Sequence, residues 1–218
     1  ELVEYLRLPP PTVEWLVERG LLPGERVGGR WRFYRPEVDD WLDLGVLGWD
    51  TAAHAAVSSA EGPLPVTLAN ALRPRNVLLD LEARDLGECF ERAIEAFEFP
   101  EGTDRRAVLE AVREREGLCS TALDHGFAVP HTRRAAGRAV VENMLGFVRL
   151  RAPISLDGLS PVDLLFFLFA RNQVTHLSLL SRAVRLVWVP RLGGALRAAQ
   201  GSEAVVRCIA RAEERYLA

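Results

Sequence analysis

Residues 45–65 change the character of this 218-residue chain and divide it into two parts. Between Gly45 and Pro65 the chain turns rich in alanine, serine and glycine, and Gly62-Pro63 and Pro65 punctuate its end. Such a stretch reads as a linker, with Thr51 to Ala56 as a short helical piece. The organisation expected is a small unit over residues 1–45, a linker over 46–65 and a larger unit over 66–218. Apolar residues make up 49% of the chain, ample for packed cores, and an aromatic content of 8% is that of a folded chain rather than a disordered one.

The first part carries helical and hairpin signals. Glu1 to Leu8 has the apolar spacing of a helix, stopped by Pro9-Pro10-Pro11. Thr12 is a reasonable N-cap for the next helix, with a proline at the first helical position as the other option. That helix carries Val13, Leu16 and Val17 on one face and stops at Gly20. Glu25-Arg26-Val27 and Arg30 to Tyr34 flank Gly28-Gly29, a hairpin signal. Pro36 then opens a helix with Val38, Trp41, Leu42 and Leu44.

From Val66 onward strands alternate with helices. Strands are expected over Asn76–Leu81, Phe127–Val129, Asn143–Leu150 and Val162–Ala170. Helices are expected over Asp85–Phe97, from a Thr103 cap to Arg115, over His176–Trp188, and from a Ser202 cap to Tyr216. This order implies an α/β unit with its sheet covered on both faces.

Several function classes recede on composition. No apolar run reaches the roughly 18 to 20 residues that span a bilayer, so no membrane insertion is expected. No charged-then-apolar leader is visible, which points to the cytoplasm. The chain opens at Glu1, so residues upstream are expected. Cys89, Cys119 and Cys208 lie far apart, with neither metal-ligand nor disulfide spacing, and read as reduced thiols. No metal or cofactor is expected. A net charge of −3 argues against charge-driven nucleic-acid binding by the whole chain.

The N-terminal order of helices, hairpin and helix is that of a winged helix-turn-helix. Val3 to Leu8, Thr12-Val13, Leu16, Gly20 to Pro23, Val27-Gly28-Gly29-Arg30-Trp31-Arg32-Phe33 and Val38 to Leu42 resemble the excisionase-type helix-turn-helix family, a relative of the MerR class. The resemblance implies DNA binding, with the second helix in a major groove and the hairpin along the phosphates. The residues that would carry it are Thr12, Trp15, Arg26, Arg30, Arg32 and Arg35. Trp15 reads equally as core. Glu14 and Glu18 depart from the polar or basic surface such helices often show, and a role in dimerisation or docking is the competing reading. A single such module reads few base pairs, so a homodimer is expected.

Of four histidines, His131 stands out because it follows Gly126-Phe127-Ala128-Val129-Pro130 and is presented rigidly at a strand end. His54 falls in the linker. The run Gly-Phe-Ala-Val-Pro-His is similar to the active-site signature of the fructose/mannitol-type EIIA domain of the phosphotransferase system, which includes the nitrogen-regulatory PtsN proteins. Asn76 to Leu81, Arg113 to Glu116 with Ser120 to Leu123, Pro153-Ile154, Asp157, Pro161 to Phe166 and His176 to Leu180 extend the resemblance from about Arg75 to the C-terminus. The fold implied is an EIIA-type mixed sheet flanked by helices, preceded by a small winged helix-turn-helix domain.

The chemistry implied is phosphoryl acceptance by His131 from an HPr-like carrier protein. Arg115 would fork onto phosphate oxygens and His176 would donate a hydrogen bond. A backbone or neighbouring acceptor should fix the His131 tautomer. The departures are His125 in place of a small polar residue, the basic run Thr132-Arg133-Arg134, and a shorter loop near Leu159-Ser160. The fused helix-turn-helix favours a transcriptional regulator. The alternatives are a sugar-transport phosphocarrier and an interaction module that reads phosphorylation state on a regulated protein partner.

Overall fold

The computed structural model describes residues 2–6, 10–18, 22–35, 38, 41, 67–132, 142–156, 160–170 and 173–217. It divides into two compact units, Glu1–Leu64 and Pro65–Ala218. The expected linker, Leu42, Leu44 and His54 lie outside the described residues.

In the first unit α1 covers Leu2–Leu6 and α2 covers Pro10–Glu18. Helix α2 has Pro10 as its first residue, the second of the two options, and Thr12 lies within the helix rather than capping it. A proline in the first turn forfeits no hydrogen bond, because that amide has no partner within the helix. Strands β1 (Glu25–Val27) and β2 (Arg30–Arg32) form an antiparallel hairpin. Gly28 and Gly29 both have positive φ, 57° and 79°, as a two-residue hairpin turn with right-handed strand twist demands. Leu6, Val13, Leu16, Val17, Leu22 and Val38 are buried together as a small core.

The second unit is a four-stranded mixed sheet in the order β3-β5-β6-β4. Its strands are β3 (Leu72–Leu81), β4 (Phe127–Ala128), β5 (Met144–Ile154) and β6 (Val162–Phe169). Strands β5 and β6 are antiparallel, while β3 runs parallel to β5 and β4 parallel to β6. Among the described residues six α-helices accompany the sheet: α3 (Leu68–Ala71), α4 (Leu86–Ala96), α5 (Arg105–Leu118), α6 (Gln173–Val187), α7 (Leu192–Ala198) and α8 (Ser202–Tyr216).

Both faces of the sheet are buried, so its central strand β6 reads as continuous apolar sequence rather than alternation. Leu165, Phe167 and Phe169 point to one face and join Phe90, Ile94 and Phe97 of the α4 region and Val108 and Val112 of α5. Phe97 meets Phe167 edge-on at 5.4 Å between ring centroids. Leu164, Phe166 and Leu168 point to the other face, where Phe166 stacks on Phe127 at 5.9 Å. Arg149 leaves β5 on that second face and donates to the carbonyls of Leu196, Arg197 and Ala199, tying down the C-terminal end of α7.

Some boundaries differ from expectation. Asp104, not Thr103, caps α5 by accepting from the Ala107 amide. Gly201 at φ 88° precedes α8, so Ser202 is its first residue and not its cap. Helix α5 extends to Leu118, β5 to Ile154, and α6 begins at Gln173. Helices α3 and α7 are additional to those expected.

Candidate functional site

Strand β4 is short, but its line of pairing continues past Pro130. The Pro130 carbonyl accepts from the Leu168 amide at 2.9 Å, and His131 forms a parallel bridge to Leu168. On its other side, Ala128 bridges Ala122, and the Thr121 carbonyl accepts from the Val129 amide at 3.1 Å. The backbone before His131 is therefore held from both sides. Gly126 starts this segment at φ 85°, and a Cβ there would lie 2.6 Å from Asp163 Oδ1 and 2.4 Å from Arg197 Nη2. The Arg197–Asp163 ion pair closes over the glycine, and Arg197 also donates to the His125 carbonyl.

His131 is fully buried. Its Nδ1 lies 2.7 Å from the Val129 carbonyl oxygen. A carbonyl only accepts, so Nδ1 carries the proton and Nε2 keeps its lone pair. The Arg115 Nε–H donates to that Nε2 at 3.0 Å. Both contacts require the same tautomer. Arg115 is also fully buried, at the last turn of α5, and its Nη1 donates to the Cys119 carbonyl at 2.8 Å.

His176, on the first turn of α6, completes the cluster. Its ring centroid lies 5.2 Å from that of His131, at an interplanar angle of 54°. Burial, helped by the Arg115 charge, lowers its pKa from the ordinary 6.5 to about 4. His176 is thus neutral at pH 7. Near neutral pH the unfolded chain begins to protonate this residue while the folded one does not. The stability tied to the neutral ring is present above pH 6.5 and is lost as pH falls towards 4, a change on the order of 3 kcal/mol. Urea unfolding between pH 7 and 4 should show a correspondingly shallower pH dependence in a His176→Gln variant than in wild type.

Arg115, His131 and His176 thus arrive from α5, the end of β4 and α6 at one buried point. Exposed His125 sits at the opposite end of β4, at φ 62°, edge-on to Trp188 at 5.3 Å. Thr132 is buried, and Arg133, Arg134, Asp157 and Leu159 lie outside the described residues. The expected DNA-contact residues Arg26, Arg30, Arg32 and Arg35 are exposed in the first unit, and the side chains of Thr12 and Trp15 lie outside the described residues. On the hairpin Arg30 and Arg32 share a face with Val27 and Glu25, while Arg26 pairs with Trp31 on the other. The Val129 carbonyl is the backbone acceptor expected to fix the His131 tautomer. The Cys119 carbonyl that holds Arg115 escaped sequence reasoning, because it is a backbone group that any residue would supply.

The model of the phosphoenolpyruvate-dependent sugar phosphotransferase system EIIA 2 family matches residues 70–212, well over half of the chain. The chain belongs to the EIIA 2 family. A helix-turn-helix domain model matches residues 1–43. The EIIA 2 region is similar to the nitrogen regulatory protein of Bradyrhizobium diazoefficiens, 36% identical over 115 residues that cover 50% of this chain and 72% of that one. It is 32% identical over 111 residues to the fructose-specific EIIABC component of the Bacillus subtilis phosphotransferase system, covering 49% of this chain and 17% of that one. Among solved structures it resembles nitrogen regulatory protein IIA-Ntr from Neisseria meningitidis, with TM-score 0.57, 29% identity, 65% of this chain and 97% of that chain covered. The mixed α/β architecture is that of EIIA structures. Among the described residues no helix is long and apolar enough to cross a membrane.

Proposed function

We propose that the EIIA 2 domain accepts a phosphoryl group on His131 Nε2 from an HPr-like carrier, as part of a cytoplasmic regulator of the nitrogen-regulatory type. The observation that carries this reading is the pair of hydrogen bonds on one imidazole. Nδ1–H donates to the Val129 carbonyl, and the Nε2 lone pair accepts from the Arg115 Nε–H at 3.0 Å. In the transfer the Nε2 lone pair forms the new N–P bond as the N–P bond to the carrier's histidine breaks, and that histidine keeps the electron pair. Arg115 exchanges its bond to Nε2 for bonds to phosphoryl oxygens, where a guanidinium fork offsets the charge spread over them. The Val129 carbonyl takes up the positive character that phosphorylation leaves on Nδ1–H. Neutral His176 supplies an N–H to the phosphoryl group. Incubation with phosphoenolpyruvate, Enzyme I and an HPr-like carrier, followed by intact mass measurement, tests the reading.

The helix-turn-helix unit is assigned to DNA through its hairpin arginines. Exposed Glu14 and Glu18 on α2 oppose phosphate, whereas exposed Arg26, Arg30 and Arg32 attract it. Random-sequence duplex should shift in a gel at low salt. Removing Arg30 and Arg32 should lower the slope of log affinity against log salt by about 1 for each phosphate that is no longer neutralised. Wild-type protein that leaves the duplex unshifted would reassign the unit to docking on a regulated protein partner or on a second copy. Phosphorylation on His131 would then alter that docking through added charge.

A further inference from the structure

We infer that Glu116 is a positioning residue that selects which nitrogen of His131 keeps its lone pair for reaction. The inference rests on the phosphoacceptor reading for its consequence, but its geometry stands apart from it. Glu116 follows Arg115 and is half-buried at the end of α5. One oxygen, Oε1, accepts from Ser120 Oγ–H at 2.9 Å and the Thr121 amide at 3.1 Å. The other, Oε2, accepts from the Thr121 amide at 3.0 Å and Thr121 Oγ1–H at 2.6 Å. The carboxylate thereby clamps the turn after the helix.

That turn leads to both carbonyls that organise the site. Fully buried Thr121 accepts the Val129 amide through its carbonyl at 3.1 Å, and the Val129 carbonyl in turn faces His131 Nδ1 at 2.7 Å. The residue before Ser120 is Cys119, whose carbonyl accepts from Arg115 Nη1 at 2.8 Å. Hydrogen bonds to a charged acceptor are about twice as strong as neutral ones, so the clamp is stiff where the supports are neutral backbone. Without it the turn drifts, the Val129 carbonyl leaves Nδ1, and the proton is no longer confined to that nitrogen. A proton on Nε2 removes the lone pair that attacks phosphorus.

The test is the tautomer of His131 in the full chain labelled with 15N-histidine, read at pH 7.5 by two-bond proton–nitrogen correlation. Wild type should show the Nδ1–H form. Glu116→Ala should raise the Nε2–H population at least tenfold and slow phosphoryl acceptance by a similar factor. Glu116→Gln keeps one acceptor oxygen and an amide that Ser120 Oγ can accept from, so it should largely restore both readouts. Thr121→Val, which removes one hydroxyl and leaves the amide, should move them in the direction of Glu116→Ala by a smaller factor. If Glu116→Ala does not fold, Thr121→Val and Glu116→Gln decide the matter. A wild-type His131 protonated on Nε2 overturns the inference, as does an unchanged tautomer in folded Glu116→Ala or, where that variant is lost, in Thr121→Val. A tautomer that follows these substitutions in a chain that takes no phosphoryl group upholds the clamp and removes only the phosphoacceptor reading.

Discussion

Incubated with phosphoenolpyruvate, Enzyme I and an HPr-like carrier, the wild-type chain should gain one acid-labile phosphoryl group, and a His131→Ala chain none. The expected contrast is all or nothing because the substitution removes the nitrogen that the site presents with a lone pair towards Arg115. Truncation also takes from the Arg115 Nε–H and the Val129 carbonyl the ring they share, so the variant's fold must be verified by circular dichroism alongside the mass measurement. Arg115→Lys should keep the acceptor but slow the transfer by about 10²-fold, since a point charge cannot reproduce a fork held at a fixed angle. Label on His131→Ala would place the acceptor elsewhere. Absence of label on wild type, with a carrier proven active on another protein, would leave an EIIA fold kept as a scaffold.

Glu213→Ala should destabilise the EIIA domain by about 3–5 kcal/mol, one of the largest effects available to a single substitution. Glu213 is only 4% exposed. Its two oxygens accept from the amides of Leu68 at 2.9 Å and Ala69 at 2.8 Å, and from Arg182 Nη1 at 3.1 Å. Thr67 caps the same helix through Asn70, so the first-turn amides of α3 are satisfied by two side chains, one local and one far along the chain. Alanine leaves the Arg182 guanidinium buried without its carboxylate and strips two amides of their acceptor. For a domain of this size the loss corresponds to a melting temperature lower by roughly 10 °C. A double Glu213→Leu, Arg182→Met variant should be the more stable of the two by calorimetry, because it removes the pair rather than half of it. Equal melting of wild type and Glu213→Ala would show that the anchor contributes nothing.

The elements that position the site are legible where local chemistry and tertiary packing agree. The amphipathic run expected over Asp85–Phe97 forms α4, with Asp85 as its cap, accepting from the Glu88 amide. The pairing of Gly28-Gly29 with arginine-bearing flanks leads directly to the hairpin. The start of β3 at Leu72, ahead of the expected Asn76, is hidden by Pro74, a residue that breaks a strand pattern. Strand β3 is at the sheet edge and its register shifts between Leu72 and Val77, and there a proline costs no ladder bond. Helix α7 is hidden by Gly193-Gly194. Its C-terminal carbonyls are held by Arg149, a residue 47 positions away from Leu196, which no local pattern reveals. Thr103 and Asp104 are both good caps, and which one is used depends on the approach of the chain rather than on residue type. In the site, Arg115, His131 and His176 are legible as side chains. Their mutual distances are not, since they depend on how α5 and α6 approach the two faces of one sheet.

The Glu213 anchor has a consequence for how the domain is carried within a longer polypeptide. Leu68 and Ala69 of α3, the first helix of the second unit, and Glu213 of α8, its last described helix, meet at one carboxylate. A domain whose two ends share an address can be lifted out and set into a loop of a host protein with little distortion of either. It can likewise be joined end to end by a short bridge and opened elsewhere. That portability belongs to the seam and is independent of the histidine the domain presents.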